Sequence, residues 1–401
     1  MLLLVWNIER FTLKRIQDSK GKTAQDVLIA QAKSAGALAH IISTVRQADP
    51  DIFIVLEALS SPGDLGTLGE GKGKLGLLRL FTELRTLNAN WFLVPAVRTN
   101  PTVLDSKSYT ESVGVFWRND RVQFIGPLKW PKAQGSNNPS PTGPAVPPTA
   151  TNVATKYPAP WDGVMPTGTA ANWAGYVPIL PGSNPKPTIG DKPTIRQPFI
   201  TDFTDGTRSN RIFSVHLPPN KTARESLVKI LGLNQALWRP GHTTGVAIVG
   251  DMNIDLAHLD MLDSTYLTEM GQADFNRLGV YPLATPAYTT DTLARSMLKK
   301  TDEAVPTGYL ADHLYDYGFL AASSAPPNYP AYPSVIADRV IDKTQAVNST
   351  GQAPIRTFTG DMALNMEEIS SSMDAEDFFR DFNNYGHIRY ASDHIAALIQ
   401  I

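Results

Sequence analysis

The sequence contains no cysteine in its 401 residues. Disulfide frameworks, thiolate metal sites and cysteine nucleophiles are therefore excluded, and any metal must be bound by oxygen or imidazole ligands. Charged residues are also sparse, at 18% of the chain against about 25% in average soluble proteins. The 36 Lys and Arg and 38 Asp and Glu give a net charge of -2, which excludes a globally basic nucleic-acid-binding chain but leaves local basic patches open.

Long apolar runs are missing as well. Residues 1–6, Met-Leu-Leu-Leu-Val-Trp, have no basic n-region and are shorter than the h-region of a signal peptide or a membrane span. We therefore predict a buried strand there, no membrane span, and either a cytoplasmic protein or a mature secreted form lacking its leader. Hydrophobic residues make up 42% of the chain, which is enough for a globular core.

Short apolar runs alternate with helical patterns along the chain. Residues 2–6 and 52–56 have the length of buried strands, and residues 26–47 between them carry apolar side chains at helical spacing. A second helix is predicted at about residues 75–87. Three further strand candidates end directly in polar or charged residues: 113–117, 212–215 and 246–249.

Proline marks the irregular parts of the chain. Fifteen of the 31 prolines fall in residues 131–200. We predict a single domain over residues 1–401, with a Pro-rich insertion at about 131–195 and a second insertion at about 322–387. The second insertion begins Pro-rich and is predicted to end in a helix at about 361–382.

Residues 250–253, Gly-Asp-Met-Asn, directly follow a predicted strand. On an extended backbone, residues i and i+2 face the same way, so Asp251 and Asn253 would point together. A carboxylate beside a carboxamide suits a hard cation and a phosphate oxygen, because both offer oxygens and the amide can also donate. A turn after a strand is the alternative interpretation.

Residues 392–394, Ser-Asp-His, place a carboxylate beside the side chain that titrates near neutrality. Such a pair can serve as metal ligand and general base, although a single histidine is more often structural. Asn7, Glu57 and His216 each close a strand-like run in the same manner.

Taken in order, these motifs resemble those of the endonuclease/exonuclease/phosphatase superfamily of metal-dependent phosphoesterases. The matching residues are Asn7, Glu57, His216, Asp251 with Asn253, Asp316 in Tyr-Asp-Tyr, and Asp393 with His394. The resemblance implies a four-layer α/β sandwich, in which two mixed β-sheets pack face to face with helices outside.

A finer resemblance is to the pancreatic-type deoxyribonuclease branch. The run from Tyr109 to Arg118 is similar to that branch's Tyr-x-Glu, strand and Arg segment, in which Glu111 would partner His216. Thr285, in Leu-Ala-Thr-Pro, resembles the branch's phosphate-loop threonine. Thr285 and Arg118 are thus candidate contacts to the substrate phosphate.

The resemblance also implies roles for the matched residues. Glu57 is the principal ligand of Mg²⁺ or Mn²⁺, with Asn7 and Asp393 beside it. His394, oriented by Asp316, is general base or electrostatic stabiliser. His216, oriented by Glu111, protonates or stabilises the other side. The pair Asp251 and Asn253 positions the water and the phosphate.

We therefore expect a divalent-metal-dependent phosphodiesterase acting on nucleic acid, of the DNase-like endonuclease type, and a monomer. One alternative is a phosphatase or phospholipase C-like hydrolase of inositol phosphate or sphingolipid, because the same residues serve both chemistries. Another is a non-catalytic binding protein on the same scaffold, but such proteins usually lose motif residues and none is missing here.

The Pro-rich insertion generates a first prediction, because it enters after the strand ending at Arg118 and returns before His216. Residues 131–200 carry five basic, two acidic and five aromatic side chains, a composition suited to stacking on bases. Replacing residues 135–190 with a short Gly/Ser linker should change the preference among single-stranded, double-stranded and small phosphodiester substrates. Hydrolysis of bis-p-nitrophenyl phosphate should survive. An unchanged preference in a folded deletion variant would assign the insertion to packing away from the site.

Overall fold

The structure is a computed structural model, which describes residues 1–62, 69–104, 107–126, 177, 196–218, 223, 226–227, 229–230, 243–254, 280–281, 315–322, 352–358, 364–370, 390–394 and 396–401. Its helices are α1 (Leu13–Ile16), α2 (Ala24–Ala48) and α3 (Lys72–Leu87). Its strands are β1 (Leu2–Phe11), β2 (Ile52–Ser60), β3 (Trp91–Val94), β4 (Arg98–Leu104), β5 (Lys107–Arg118), β6 (Gln123–Gly126), β7 (Phe199–Thr204), β8 (Ser209–His216), β9 (Gly245–Asp251), β10 (Val280–Tyr281), β11 (Asp316–Ala322), β12 (Gln352–Phe358), β13 (Leu364–Ser370) and β14 (Ala397–Gln400).

The first sheet has six strands in the order β14-β1-β2-β5-β3, with β4 also pairing with β5. β1 and β2 are parallel, from Leu3 opposite Ile52 to Asn7 opposite Leu56, and the remaining pairs are antiparallel. Parallel neighbours need a crossover connection, and α2 supplies it. The predicted strand, helix, strand unit at the start of the chain is confirmed.

The second sheet has six strands in the order β10-β11-β9-β8-β7-β6. β8 and β9 are parallel, whereas the pairs on either side are antiparallel. Both sheets are therefore mixed, and each has a central parallel pair. Because parallel strands end at the same edge, the last residues of β8 and β9 lie side by side, with His216 opposite Asp251.

The two sheets pack face to face. Trp117 of β5 contacts Phe203 of β7, with ring centroids 6.1 Å apart, and also contacts Phe124 of β6 at 5.6 Å. Residues 52–56 of β2 are buried in succession, as expected for a strand covered on both faces. The apolar side chains of both sheets and the helices form one buried cluster. The predicted α/β architecture of two mixed sheets with flanking helices is confirmed.

The two predicted helices are present as α2 and α3, which begin two and three residues before the predicted bounds. Thr23 and Asp26 form a capping box at the start of α2: Thr23 Oγ1 accepts from the Asp26 amide at 3.1 Å, and the Asp26 carboxylate accepts from the Thr23 amide at 3.0 Å. On α3, Leu77 packs against Gly114 of β5, where a Cβ would lie 2.4 Å from a leucine methyl. None of the helices in the described residues is long and apolar enough to cross a membrane.

The predicted helix at 361–382 is wrong over residues 364–370. These residues form β13, which pairs antiparallel with β12 from Phe358 opposite Leu364 to Gln352 opposite Ser370. The sequence pattern of this segment does not reveal its pairing partner, and the pairing fixes an extended backbone. The rest of that predicted helix, Thr285 and the Pro-rich insertion apart from Val177 lie outside the described residues.

Candidate active site

Polar side chains from both sheets meet at one end of the sandwich. Asp316 begins β11 opposite Asp251, which ends β9 beside His216. Asn7 of the first sheet reaches across and donates from Nδ2 to Asp251 Oδ2 at 2.9 Å. The structure brings together these sequence-predicted residues: Asn7, Glu57, Glu111, His216, Asp251, Asn253, Asp316, Asp393 and His394.

Backbone strain is concentrated at this end of the sandwich. Arg10, Glu57 and Asn253 have φ values of 50°, 56° and 48°, in the left-handed region that residues other than glycine rarely adopt. The register of β1 with β2, and of β2 with β5, shifts beside Arg10 and Glu57. Glu57 Oε2 accepts from the displaced Arg10 amide at 2.9 Å, so the irregularities of the two strands support each other.

His216 is held between a carboxylate and a guanidinium. Its Nδ1 lies 3.0 Å from Glu111 Oε2, and its Nε2 lies 2.6 Å from Arg196 Nη1. Because a guanidinium can only donate, that contact requires an unprotonated Nε2 and places the ring proton on Nδ1, facing Glu111. Nε2 also faces Glu57 Oε1 at 3.4 Å and Asp251 Oδ2 at 3.5 Å.

These neighbours oppose one another in the titration of His216. Burial and the Arg196 guanidinium lower the pKa of this imidazole, but the carboxylates of Glu111 and Glu57 outweigh them and raise its pKa overall. Burial acts to raise the pKa of Glu111. The charges of Arg196 and His216, with hydrogen bonds from His216 and Asn100, nevertheless bring the pKa of Glu111 down to about 2.

His394 forms the second histidine–carboxylate pair. Its Nδ1 lies 2.7 Å from Asp316 Oδ2, and its Nε2 points towards Asp251 Oδ2 at 3.8 Å. Burial disfavours the charged ring, yet Asp316 and Asp251, followed by Asp393, raise the pKa of His394 to about 10. The carboxylate at Nδ1 fixes the orientation of the ring, leaving Nε2 for the reacting centre.

Asp251 is the point on which the two pairs converge. One of its oxygens, Oδ2, accepts from Asn7 and faces Nε2 of both histidines. The other, Oδ1, accepts from the Asn253 amide at 2.9 Å. The Asn253 side chain donates to the Leu217 carbonyl at 2.7 Å, which fixes the loop after β9. The backbone is not extended at Asn253, whose φ is 48°, so the alternative interpretation of a turn after the strand describes this loop.

Two groups of side chains within the described residues can hold a metal ion. They are Glu57 with Glu111 and His216, and Asp251 with Asp316 and His394, each with ligand atoms within 4.8 Å of one another. Both are built from oxygen and imidazole donors. They share only Glu57 with the predicted ligand set of Glu57, Asn7 and Asp393.

The residues present also fit a hard cation at the predicted position. Burial raises the pKa of Glu57, despite the opposing charge of His216, because the carboxylate is withdrawn from water. Asn7 Oδ1 is buried and makes no hydrogen bond within the described part of the chain. A divalent cation would neutralise such a carboxylate and coordinate such an oxygen.

Arg196 is a site residue that the sequence did not reveal. Besides His216 it contacts Glu111, with Nη2 3.3 Å from Oε1, and it donates to the Leu217 carbonyl at 3.0 Å. It lies just before β7, twenty residues ahead of His216, and nothing in its local pattern marks it. Asn100 of β4, which hydrogen-bonds Glu111, was missed for the same reason.

Arg118, a predicted phosphate contact, is not brought to the site. It ends β5 seven residues beyond Glu111, a separation of roughly 23 Å along a strand. Its guanidinium is occupied by acidic neighbours, donating from Nε to Asp120 at 2.8 Å and from Nη1 to Asp49 at 3.2 Å. Thr285, the other predicted phosphate contact, lies outside the described residues.

No protein-family model matches the chain, and no curated protein shows a significant match. Solved structures do resemble it. TDP2 from D. rerio, complexed with a single-strand DNA product, is 11% identical and aligns over 99% of this chain and 97% of its own, with a TM-score of 0.44. Mannosyl-6-phosphatase from Bacteroides thetaiotaomicron is 10% identical over 100% and 98%, with a TM-score of 0.43.

An endonuclease/exonuclease/phosphatase family protein from Leptotrichia buccalis is also 10% identical, over 100% of this chain and 99% of its own, with a TM-score of 0.42. The pancreatic-type deoxyribonuclease branch stays a prediction. Similarities of this size do not identify an activity, so the chemistry must follow from the residues of the site.

The low pKa of Glu111 leads to a prediction about the stability of the folded protein at acid pH. Its pKa of about 2 in the folded chain is below the ordinary 4.5, so its contribution to stability is present above about pH 4.5 and is lost as the pH falls towards 2. In Glu111→Gln this contribution is absent, and the free energy of unfolding should fall less steeply over that range. Urea denaturation of both proteins in excess chelator measures the difference. Parallel pH curves would contradict the prediction.

Proposed function

We propose that the chain is a divalent-metal-dependent phosphodiesterase of the endonuclease/exonuclease/phosphatase superfamily, formed as one domain and hydrolysing nucleic acid. One observation carries the proposal. Two buried histidines, each with Nδ1 on its own carboxylate, turn Nε2 towards the same oxygen of Asp251. Structural histidines have no need of this convergence, whereas a phosphoryl group between two imidazoles would use it.

Phosphodiester hydrolysis needs a positioned water, neutralisation of the charge that grows on the phosphoryl oxygens, and help for the leaving alkoxide. Bound by Glu57, Asn7 and Asp393, Mg²⁺ or Mn²⁺ would supply Lewis-acid stabilisation of that growing charge. Arg196 would add a fixed positive charge next to His216. These groups act in a buried site, where electrostatic interactions are stronger than in water.

The two histidines are suited to different tasks. His394, whose pKa is raised to about 10, carries a proton at neutral pH and would donate a hydrogen bond from Nε2 to a phosphate oxygen. His216, held by Glu111 and Arg196, would exchange a proton at Nε2 once Arg196 turns to the phosphate. Asp251 and Asn253 would hold the attacking water between the two rings.

Nucleic acid is the favoured substrate because of the motif order and the resemblance to the deoxyribonuclease branch. A phosphatase or phospholipase C-like hydrolase is the alternative, since the same metal ligands and imidazoles serve monoesters and lipid headgroups. A non-catalytic binding protein is disfavoured, because both histidine–carboxylate pairs are intact. Plasmid DNA, RNA, bis-p-nitrophenyl phosphate and lipid headgroup substrates, incubated in parallel with Mg²⁺ or Mn²⁺, would separate the three.

Metal dependence is the first prediction from this proposal. Excess chelator should abolish hydrolysis of bis-p-nitrophenyl phosphate, and Mg²⁺ or Mn²⁺ should restore it, because a few oxygen ligands bind these ions reversibly. Glu57→Gln should need a higher metal concentration for half-maximal activity, since it loses the principal negative ligand. Full activity in excess chelator would refute the metal assignment.

The histidines give the second prediction. His216→Ala and His394→Ala should each lower kcat by about 10²- to 10⁴-fold, because the lost interactions belong to the transition state. Circular dichroism and the Tm should show that both variants remain folded. Near-normal turnover in His394→Ala would remove this residue from the chemistry.

A further inference from the structure

Trp6 connects the first strand to the loop that carries His394. Its indole is buried, 1% exposed, and Nε1 donates to the His394 carbonyl oxygen at 2.8 Å. The indole ring also packs edge-on against the His40 ring of α2, with centroids 5.6 Å apart and planes at 83°. The indole N–H therefore has a defined position and one acceptor.

The amide of His394 is fixed to the same strand. It donates to Ser392 Oγ at 2.9 Å, and that hydroxyl donates to the Asn7 carbonyl at 2.5 Å. Both backbone polar groups of His394 are thus anchored to consecutive residues of β1, the carbonyl directly by Trp6 and the amide through Ser392. The second sheet holds the imidazole itself, through Asp316.

We propose that Trp6 is a positioning residue: by holding the His394 carbonyl, its indole N–H sets the place of the His394 imidazole above Asp251. This inference rests on the proposed function. Asp316 fixes the rotation of the ring, but the backbone from which the ring extends is fixed from β1. A shift of that backbone would move Nε2 from the reacting phosphate, and misplacements of about 1 Å can cost a hundredfold in rate.

The experiment compares Trp6→Phe with a matched control, Trp117→Phe. Trp117 is likewise buried, 2% exposed, but its Nε1 makes no hydrogen bond within the described residues and its ring packs on Phe203. Both variants lose an indole from the core. Only Trp6→Phe should lower kcat for bis-p-nitrophenyl phosphate, by about tenfold, with KM nearly unchanged, since the binding groups remain.

A double-mutant cycle tests whether Trp6 acts through His394. If it does, adding Trp6→Phe to His394→Ala should cause no further loss of kcat, whereas a general structural effect would add in full.

Should Trp6→Phe fail to fold, a benzothienylalanine at position 6 keeps the shape of the indole and replaces its N–H by sulfur. The same tenfold loss is expected there.

Equal kcat in Trp6→Phe and wild type, or equal losses in Trp6→Phe and Trp117→Phe, would overturn the inference, as would full additivity with His394→Ala. The proposed function fails on a different result: a wild-type protein without metal-dependent hydrolysis, or a His394→Ala variant as active as wild type. The two failures are therefore distinguishable.

Discussion

The buried hydrogen bond between Asn7 and Asp251 is the interaction on which the rest of the site depends. It joins β1 of one sheet, at the point where the register of β1 with β2 shifts, to the end of the parallel pair β8 and β9 of the other. The oxygen that accepts it is the one that both imidazoles face. A bond between polar groups removed from water is costly to break, because each partner would remain unsatisfied. This hydrogen bond therefore constrains both the relative placement of the two sheets and the arrangement of the candidate catalytic groups.

Negative charge exceeds positive charge at the candidate site. Within the described residues, five carboxylates gather at the site: Glu57, Glu111, Asp251, Asp316 and Asp393. They face the guanidinium of Arg196 and the imidazoles of His216 and His394. The consequence is visible in the raised pKa of both histidines. A divalent ion bound as proposed would relieve this excess of negative charge. The proton held by His394 provides part of the same neutralisation.

The sequence predicted five of the described strands, β1, β2, β5, β8 and β9, and most residues of the candidate site, because both depend on local pattern. Asn7, His216 and Asp251 each follow an apolar run. His216 and Asp251 end their strands as predicted, whereas Asn7 lies within β1, which continues to Phe11. Arg196 and Asn100 could not be predicted in this way. Asn100 reaches the site through the register of β4, and Arg196 reaches it through the segment that leads into β7. The strained backbone of Glu57 also escaped prediction, because a bulge depends on the neighbouring strand. The error at residues 364–370 has the same origin: a strand is defined by its partner.

The bond from Trp6 to His394 spans 388 residues of sequence. Closing a loop of this length lowers the entropy of the chain before any new contact offsets the loss, and folds rich in distant pairings form slowly. During synthesis, β1 and β2 can pair early, but the strand must wait for β14 and the adjoining Ser-Asp-His turn. A nascent chain thus carries Asn7 and Glu57 long before it carries His394, and the candidate site forms only when these distant segments meet.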